Sequence, residues 1–543
     1  MPGELEFQIS NNFSMDFWAP GAAWDGFTRG GLEHPGMLSI SWPGGNLNSN
    51  GFSLRAASAD ALELVDREGN PLFRLDHIHT MLYPRDEYMT LWNMDMSLTP
   101  WLADKMGYPD LGGIVIATAY THTNIAIPSG VQTDGNDNCT GPNWHDGVNY
   151  FTDVELSSLN QIQQVAREPD VRVAIAPSAT LRNVGSADVP WFEKFTTEPP
   201  DNFGDYPAPY ERDQHPFLVW AMYRIVDDIP QQIGKSAVKH AFFTVNTSCS
   251  CAGGSILWSA DNSPNGQACT DTYGVGNNNN ERHLGVRSEL PAFTGEWEQC
   301  GSMFAPGGTA PGPCDQTVNG LTNDDFERRL VVAEENLETE NADYFFEGWY
   351  LIRDDINIFN TMAHKPLTPT FGTSWTFPTG SQSQGPAIDS WVAPNTSTDS
   401  EAHAVRQTDH GHYSVAVKTT DLGGGQYRYV YAVMNYDFDP RFNRFSISLP
   451  EGIAISNIQY LDGDQDGGND WSSLIENGEL TWTAPNTDSS LEWGHMATFV
   501  FEANEPPSPG PVELYAEELS LNYSPVVLGP NPGLDFTEGF ESL

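Results

Sequence analysis

Basic residues are scarce in this sequence: 25 Lys and Arg stand against 73 Asp and Glu, a formal net charge of -48 at pH 7. So negative a chain repels phosphate backbones and anionic bilayers, which sets nucleic acid and membrane surfaces aside as partners. No apolar run approaches the roughly 18 residues of a membrane-spanning helix, so no span is expected. Several catalytic signatures are missing too: no GxSxG elbow, no GxxxxGK[ST] loop, no GxGxxG after a strand, no HExxH and no CxxCH. Their absence disfavours α/β-type serine hydrolases, the common nucleotide folds, zincin proteases and c-type haem.

Cysteine is sparse but even in number. Cys139, Cys249, Cys251, Cys269, Cys300 and Cys314 cluster in one stretch, and none forms the CxxC pair of a structural zinc site. Disulfides fit better, with Cys249 and Cys251 too close to pair with each other and so each clipping a different loop. That places the chain in an oxidising compartment, secreted or at the cell surface. The start, Met1-Pro-Gly-Glu, has neither a basic nor an apolar region, so an export signal is expected to have been removed already.

What is present reads as packed β structure. Hydrophobic residues make up 39% of the chain and aromatics 12%, against 18% charged, which suits a globular protein rather than a disordered polymer. Gly and Pro punctuate short β-branched and aromatic runs, as turns do between strands. At 543 residues the chain exceeds one ordinary core. The pattern predicts a mainly β, multi-domain protein of antiparallel, jelly-roll-like sandwiches with few short helices. Its parts are a β domain over 1–170, a His- and Cys-containing β domain with long stapled loops over 171–340, a sandwich over 341–505 and a Pro-rich, extended and weakly ordered tail over 506–543. One helix is expected where Thr99 can cap, Pro100 can take the first position and Gly107 can end it.

Two constellations could carry chemistry. In Asp462-Gly-Asp464-Gln-Asp466-Gly467, followed by Asp470, aspartates alternate ahead of a glycine, as a loop wrapping Ca2+ requires. Position twelve is Ser473 rather than glutamate, which leaves Glu476 as the candidate further ligand; a metal-free hairpin turn is the alternative. The second is His215 and His240, at the edges of apolar runs a strand, turn and return strand apart. Neighbouring strands would put both imidazoles on one face, where copper or another transition metal could take His283, Asp271 or Asp213 as third ligand. Two buried, hydrogen-bonded histidines are the duller account. His77 with His79, and His410 with His412 near His403 and Asp409, share the HxH spacing that lets a strand chelate, although exposed histidines near turns are the favoured account. Among the tryptophans, Trp349, Trp391, Trp471, Trp482 and Trp493 could stack on sugar or fill cores.

The series Gln214-His-Pro, Arg224, Gln232-Ile-Gly, Lys239-His-Ala-Phe-Phe, Cys249-Ser-Cys, Cys269-Thr-Asp-Thr-Tyr-Gly and Leu284-Gly resembles a family of uncharacterised secreted, cysteine-containing β proteins of environmental bacteria. The likeness covers about 175–300 and departs where that family has Ser-Asp-Pro-Tyr and this chain has Thr270-Asp-Thr-Tyr273. The resemblance implies secretion, disulfide stapling and interest in His215 and His240. Together these features predict a secreted metal-binding protein with a copper-dependent oxidoreductase centre at His215 and His240. The alternative is a non-catalytic, calcium-stabilised surface or matrix protein that binds glycans or another extracellular polymer.

Overall fold

The computed structural model describes residues 15–18, 26–42, 45–58, 61–76, 78–83, 88–113, 115–124, 153–184, 215–241, 270–293, 301–304, 324–352, 357–408, 410–463 and 467–530, with 189, 247, 295, 297 and 355 as single positions between them. The chain is mainly β, in several antiparallel sheets with few short helices. The N-terminal sheet runs from Met15–Trp18 through Gly26–Trp42 and Gly45–Ala56 to Tyr88–Leu98 and Val115–Asn124. Alternation along its strands buries Leu54, Leu62, Leu75 and Met94 in one cluster and Leu38, Phe52, Phe73 and Leu98 in another. The expected helix is there as Pro100–Met106: Thr99 Oγ1 accepts from Leu102 N, and Gly107 closes it at φ 84°.

The middle of the chain packs two sheets face to face. One holds the hairpin Val154–Glu168 and Arg172–Asn183, whose turn passes through Asp170 at φ 60°. The other runs Leu284–Gly285, Val238–His240, Phe217–Val226, Asp343–Leu351, Met362–Leu367, Ser383–Gln384. Leu156, Ile175, Trp220, Phe346 and Tyr350 fill the space between them. The opposite face of the second sheet, carrying Phe217, Val219 and Trp349, packs on Val430, Met434 and Val500 of the C-terminal sandwich. A strand covered on both faces must be apolar at every position, which is why residues 217–223 read as an unbroken hydrophobic run.

Two boundaries expected from pattern fall inside sheets. The turn at 170 is the middle of a hairpin, and Asp343–Leu351, beyond 340, pairs along its length with Phe217–Val226. The tail is likewise structured through 529. Ser508–Ala516 lies in the C-terminal sandwich beside Phe442–Ser448, Leu521–Tyr523 and Val526–Gly529. Its prolines 509 and 511 occupy the half that pairs with Val526–Gly529 alone, where the missing N–H groups cost no bond to a second neighbour.

Candidate functional site

Folding brings His215 and His240 together. His240 ends a short strand that pairs with the start of Phe217–Val226, and His215 lies two residues before that start. His215 Nε2 and His240 Nδ1 are 3.0 Å apart, and the residues are 3% and 1% exposed. In this contact one ring donates and the other accepts. The same spacing is what two nitrogens about 2.1 Å from a shared ion at a right angle would show. Aromatic rings surround the pair: Phe217 at 4.6 and 5.0 Å, Trp297 at 5.2 and 4.6 Å, and Phe304 at 5.0 Å from His240. Gly285 closes the far side, since a Cβ there would sit 2.5 Å from His240 Nε2.

Of the other nominated ligands, Asp271 and His283 are buried but not gathered around this pair. Asp271 is on the opposing sheet, paired with Leu181, while His283 ends a short turn ahead of Leu284–Gly285. Among the described residues no three His, Cys, Asp or Glu side chains are grouped to hold an ion. Asp213 lies outside the described residues, as do all six cysteines. Between the sheets the structure shows a group that pattern reading passed over. Lys239 alternates with His240, so its chain enters the core at 2% exposure, Nζ donating to His240 O at 2.6 Å and lying 4.7 Å over the Tyr273 ring. Burial brings its amine down to about 7, against the pull of Asp271.

Of the Asp462–Asp470 loop, Asp464 and Asp466 lie outside the described residues. Asp462 is half-buried, Asp470 is exposed, and Glu476 is exposed at the end of Ser472–Glu476. The loop's entry is fixed: Asn336 Nδ2 donates to Gly463 O at 3.0 Å, and a Cβ at Gly463 would meet Gln232 O at 2.2 Å. The backbone at Gly463 therefore abuts the middle sheets.

The HxH sets are differently employed. His77 and Asp409 lie outside the described residues, and His79 opens the strand His79–Tyr83. His412 Nδ1 is 2.8 and 3.0 Å from the Asp437 carboxylate oxygens, so that ring is oriented by a carboxylate. His403 Nδ1 bonds Val392 O at 2.9 Å, and burial lowers its pKa to about 4.

The five nominated tryptophans are all core: Trp349, Trp391, Trp471, Trp482 and Trp493 are at most 5% exposed. An open aromatic is found elsewhere, in a groove of about 770 Å3 between the turn before Asp343–Leu351 and the hairpin after Met362–Leu367. Phe371, 45% exposed, lines it with Trp375, Tyr344 and Phe345. Phe371 is held from behind. The Arg167 guanidinium lies 4.3 Å over its ring, and the Trp375 ring is 5.4 Å away. Both are tied to buried Glu334, whose carboxylate accepts from Arg167 Nε, from Arg167 Nη2 at 3.1 Å and from Trp375 Nε1 at 2.5 Å. The bond from Arg167 keeps the Glu334 carboxyl below its ordinary value. Among the described lining residues Glu338 and Asp343 are charged and none is Lys or Arg. A single exposed Phe in a polar hairpin is an ordinary sequence feature, and only the fold shows its support.

No protein-family model and no curated protein matches the chain. Among solved structures it is similar to the serine-rich repeat protein Srr2 from Streptococcus agalactiae, at 8% identity over 69% of this chain and 93% of that one, with a TM-score of 0.16. So low a score bears on neither fold nor function.

Proposed function

We propose that the protein is a secreted glycan-binding protein that holds neutral sugar residues in the groove lined by Phe371. The carrying observation is the braced, exposed Phe371 ring: an aromatic face fixed before binding costs little ordering entropy and suits the apolar face of a pyranose. Glu338 and Asp343 supply acceptors for hydroxyl groups, and with no cation among the described lining residues the groove disfavours sulfated or carboxylated sugars. Secretion is supported by the even cysteine set without zinc spacing and by the acidic composition. Titration with a panel of neutral and sulfated oligosaccharides tests the reading. Neutral members should bind, and Phe371→Ala should weaken them about tenfold or more while leaving Tm unchanged, a loss of about 1.4 kcal/mol. Binding that survives Phe371→Ala, or a preference for sulfated sugars, overturns it.

The copper reading at His215 and His240 rests on their 3.0 Å approach. Metal analysis of tag-free protein decides it: stoichiometric copper lost in the His215→Ala, His240→Ala double variant supports a centre there, and copper below stoichiometry counts against it.

A further inference from the structure

His364 lies on Met362–Leu367 opposite Glu347 and is 2% exposed. Its Nδ1 is 2.9 Å from Gly385 O and its Nε2 is 2.6 Å from Ser390 Oγ. A carbonyl only accepts, so Nδ1 carries the ring hydrogen, Nε2 offers its lone pair, and the Ser390 hydroxyl donates to it. Ser390 itself is exposed, at the end of the short turn Ala387–Ser390. An accessible hydroxyl, a buried imidazole that accepts its proton and a group that fixes the imidazole's tautomer are the three parts of an activated nucleophile. Here the third part is a main-chain carbonyl rather than a carboxylate.

The turn that presents Ser390 is anchored from several directions. Glu347 Oε2 accepts from Ala387 N at 2.6 Å, Gly385 N donates to Met362 O at 2.9 Å, and Trp391 N donates to Ile388 O at 2.9 Å. Trp391 Nε1 bonds the Asp228 side chain at 3.0 Å. Burial also lowers the pKa of His364, against the Gly385 bond, which keeps the ring neutral and able to take a proton.

We propose that Ser390 and His364 form a serine nucleophile centre that cleaves carboxylic esters. Ser390 Oγ adds to the ester carbonyl carbon while its proton passes to His364 Nε2; the carbon–oxygen bond to the alcohol breaks, and the alcohol leaves with that proton. Water then gives a proton to His364 and attacks the acyl group on Ser390, releasing the carboxylic acid and restoring the hydroxyl. The missing GxSxG elbow is no obstacle, because the serine sits on a turn facing a sheet and not on a strand-to-helix corner. The position also suggests where the ester hangs. Pro366 of the groove is two residues along the strand from His364, and the ring of Phe345, which lines the groove, is 6.1 Å from the imidazole. O-acylated sugars are thus the substrate class that a groove-bound glycan would present, although the nucleophile stands without the glycan reading.

The test is labelling of the full-length chain with a fluorophosphonate probe, read by peptide mass spectrometry, beside hydrolysis of p-nitrophenyl acetate. Ser390 should carry the label, and Ser390→Ala, an exposed change that leaves the fold intact by circular dichroism, should abolish it and slow hydrolysis by at least about 100-fold. In wild type the labelling rate should rise with pH on the acid side, with the midpoint of that rise below the ordinary histidine range. Label spread over many serines with no preference for Ser390, or Ser390→Ala hydrolysing as fast as wild type, overturns the proposal.

Discussion

Glu347 offers the sharpest quantitative test of the arrangement. It is 6% exposed, at the face where the middle sheet meets the C-terminal sandwich, and it accepts from Tyr223 OH at 3.0 Å and from Ala387 N at 2.6 Å. Desolvation dominates these bonds and the nearby Arg287 charge, raising its pKa from 4.5 to about 7. The folded protein therefore holds a proton between those values that the unfolded chain has already released. Stability contributed by this group is full below 4.5 and is lost as pH rises to about 7. At about 1.4 kcal/mol per pH unit the loss comes to about 3 kcal/mol. Glu347→Gln keeps the size and an acceptor for Ala387 N but removes the titration. Urea unfolding of both proteins at pH 5 and pH 8 should show wild type losing more stability than the variant by about 3 kcal/mol. Other groups that titrate in this range, such as Asp439 and His403, are common to both proteins and cancel in the difference. Equal losses in the two proteins would refute the assignment of a buried Glu347 that keeps its proton up to about pH 7.

Lys239 should act in the opposite direction: with its pKa lowered from 10.5 to about 7, the unfolded chain binds the extra proton, so stability rises from pH 7 toward 10.5. Lys239→Met should flatten that rise, by up to about 4 kcal/mol, in unfolding curves at pH 7 and pH 10. Gly285→Ala forces a methyl against His240 Nε2 and should cost about 1–3 kcal/mol, seen as a lower urea midpoint at unchanged slope; an unchanged midpoint would mean the imidazole has room to move. If the Asp462–Asp470 loop binds calcium, EDTA should lower Tm by about 5 °C and added Ca2+ should restore it, whereas an Asp470→Asn variant should show neither response.

Local chemistry made some of this visible in the chain itself. Thr99, Pro100 and Gly107 each have one dominant reason to sit where they do, so the helix Pro100–Met106 could be read directly. The approach of His215 and His240 was also legible, because a strand and return strand separate them and the geometry of a hairpin does the rest. Boundaries were not, since nothing in residues 343–351 says that their partner lies more than a hundred positions earlier. Proline density suggested a loose tail beyond 506, but two prolines tolerate a strand when only one of its sides is paired. The Ser390 and His364 contact escaped notice for a similar reason. It depends on residues 385–391 folding back across Met362–Leu367, and neither residue belongs to a recognisable motif.

That fold-back is a property of the seam between the middle sheets and the C-terminal sandwich, and the seam is specific rather than merely apolar. Gln232 donates to Gly494 O at 3.0 Å and accepts from Met496 N at 3.1 Å, and Arg287 bonds Ser236 O at 2.7 Å and Trp493 O at 3.1 Å. Buried polar groups of this kind satisfy one another in one relative placement of the two layers, because any slide leaves donors and acceptors stranded in a dry interface. The Ser390 turn is held from both layers: His364 and Glu347 reach it from the middle sheet, while His403 of the sandwich bonds Val392 O just beyond it. Charging Glu347 as pH passes about 7 places an anion beside the N–H that anchors Ala387. The serine's geometry and the stability of the seam are therefore coupled through one carboxyl group. A drop in fluorophosphonate labelling that tracks the pH-dependent loss of stability in wild type, and is absent in Glu347→Gln, would be the signature of that coupling; identical labelling profiles in the two proteins would show the turn to be rigid on its own.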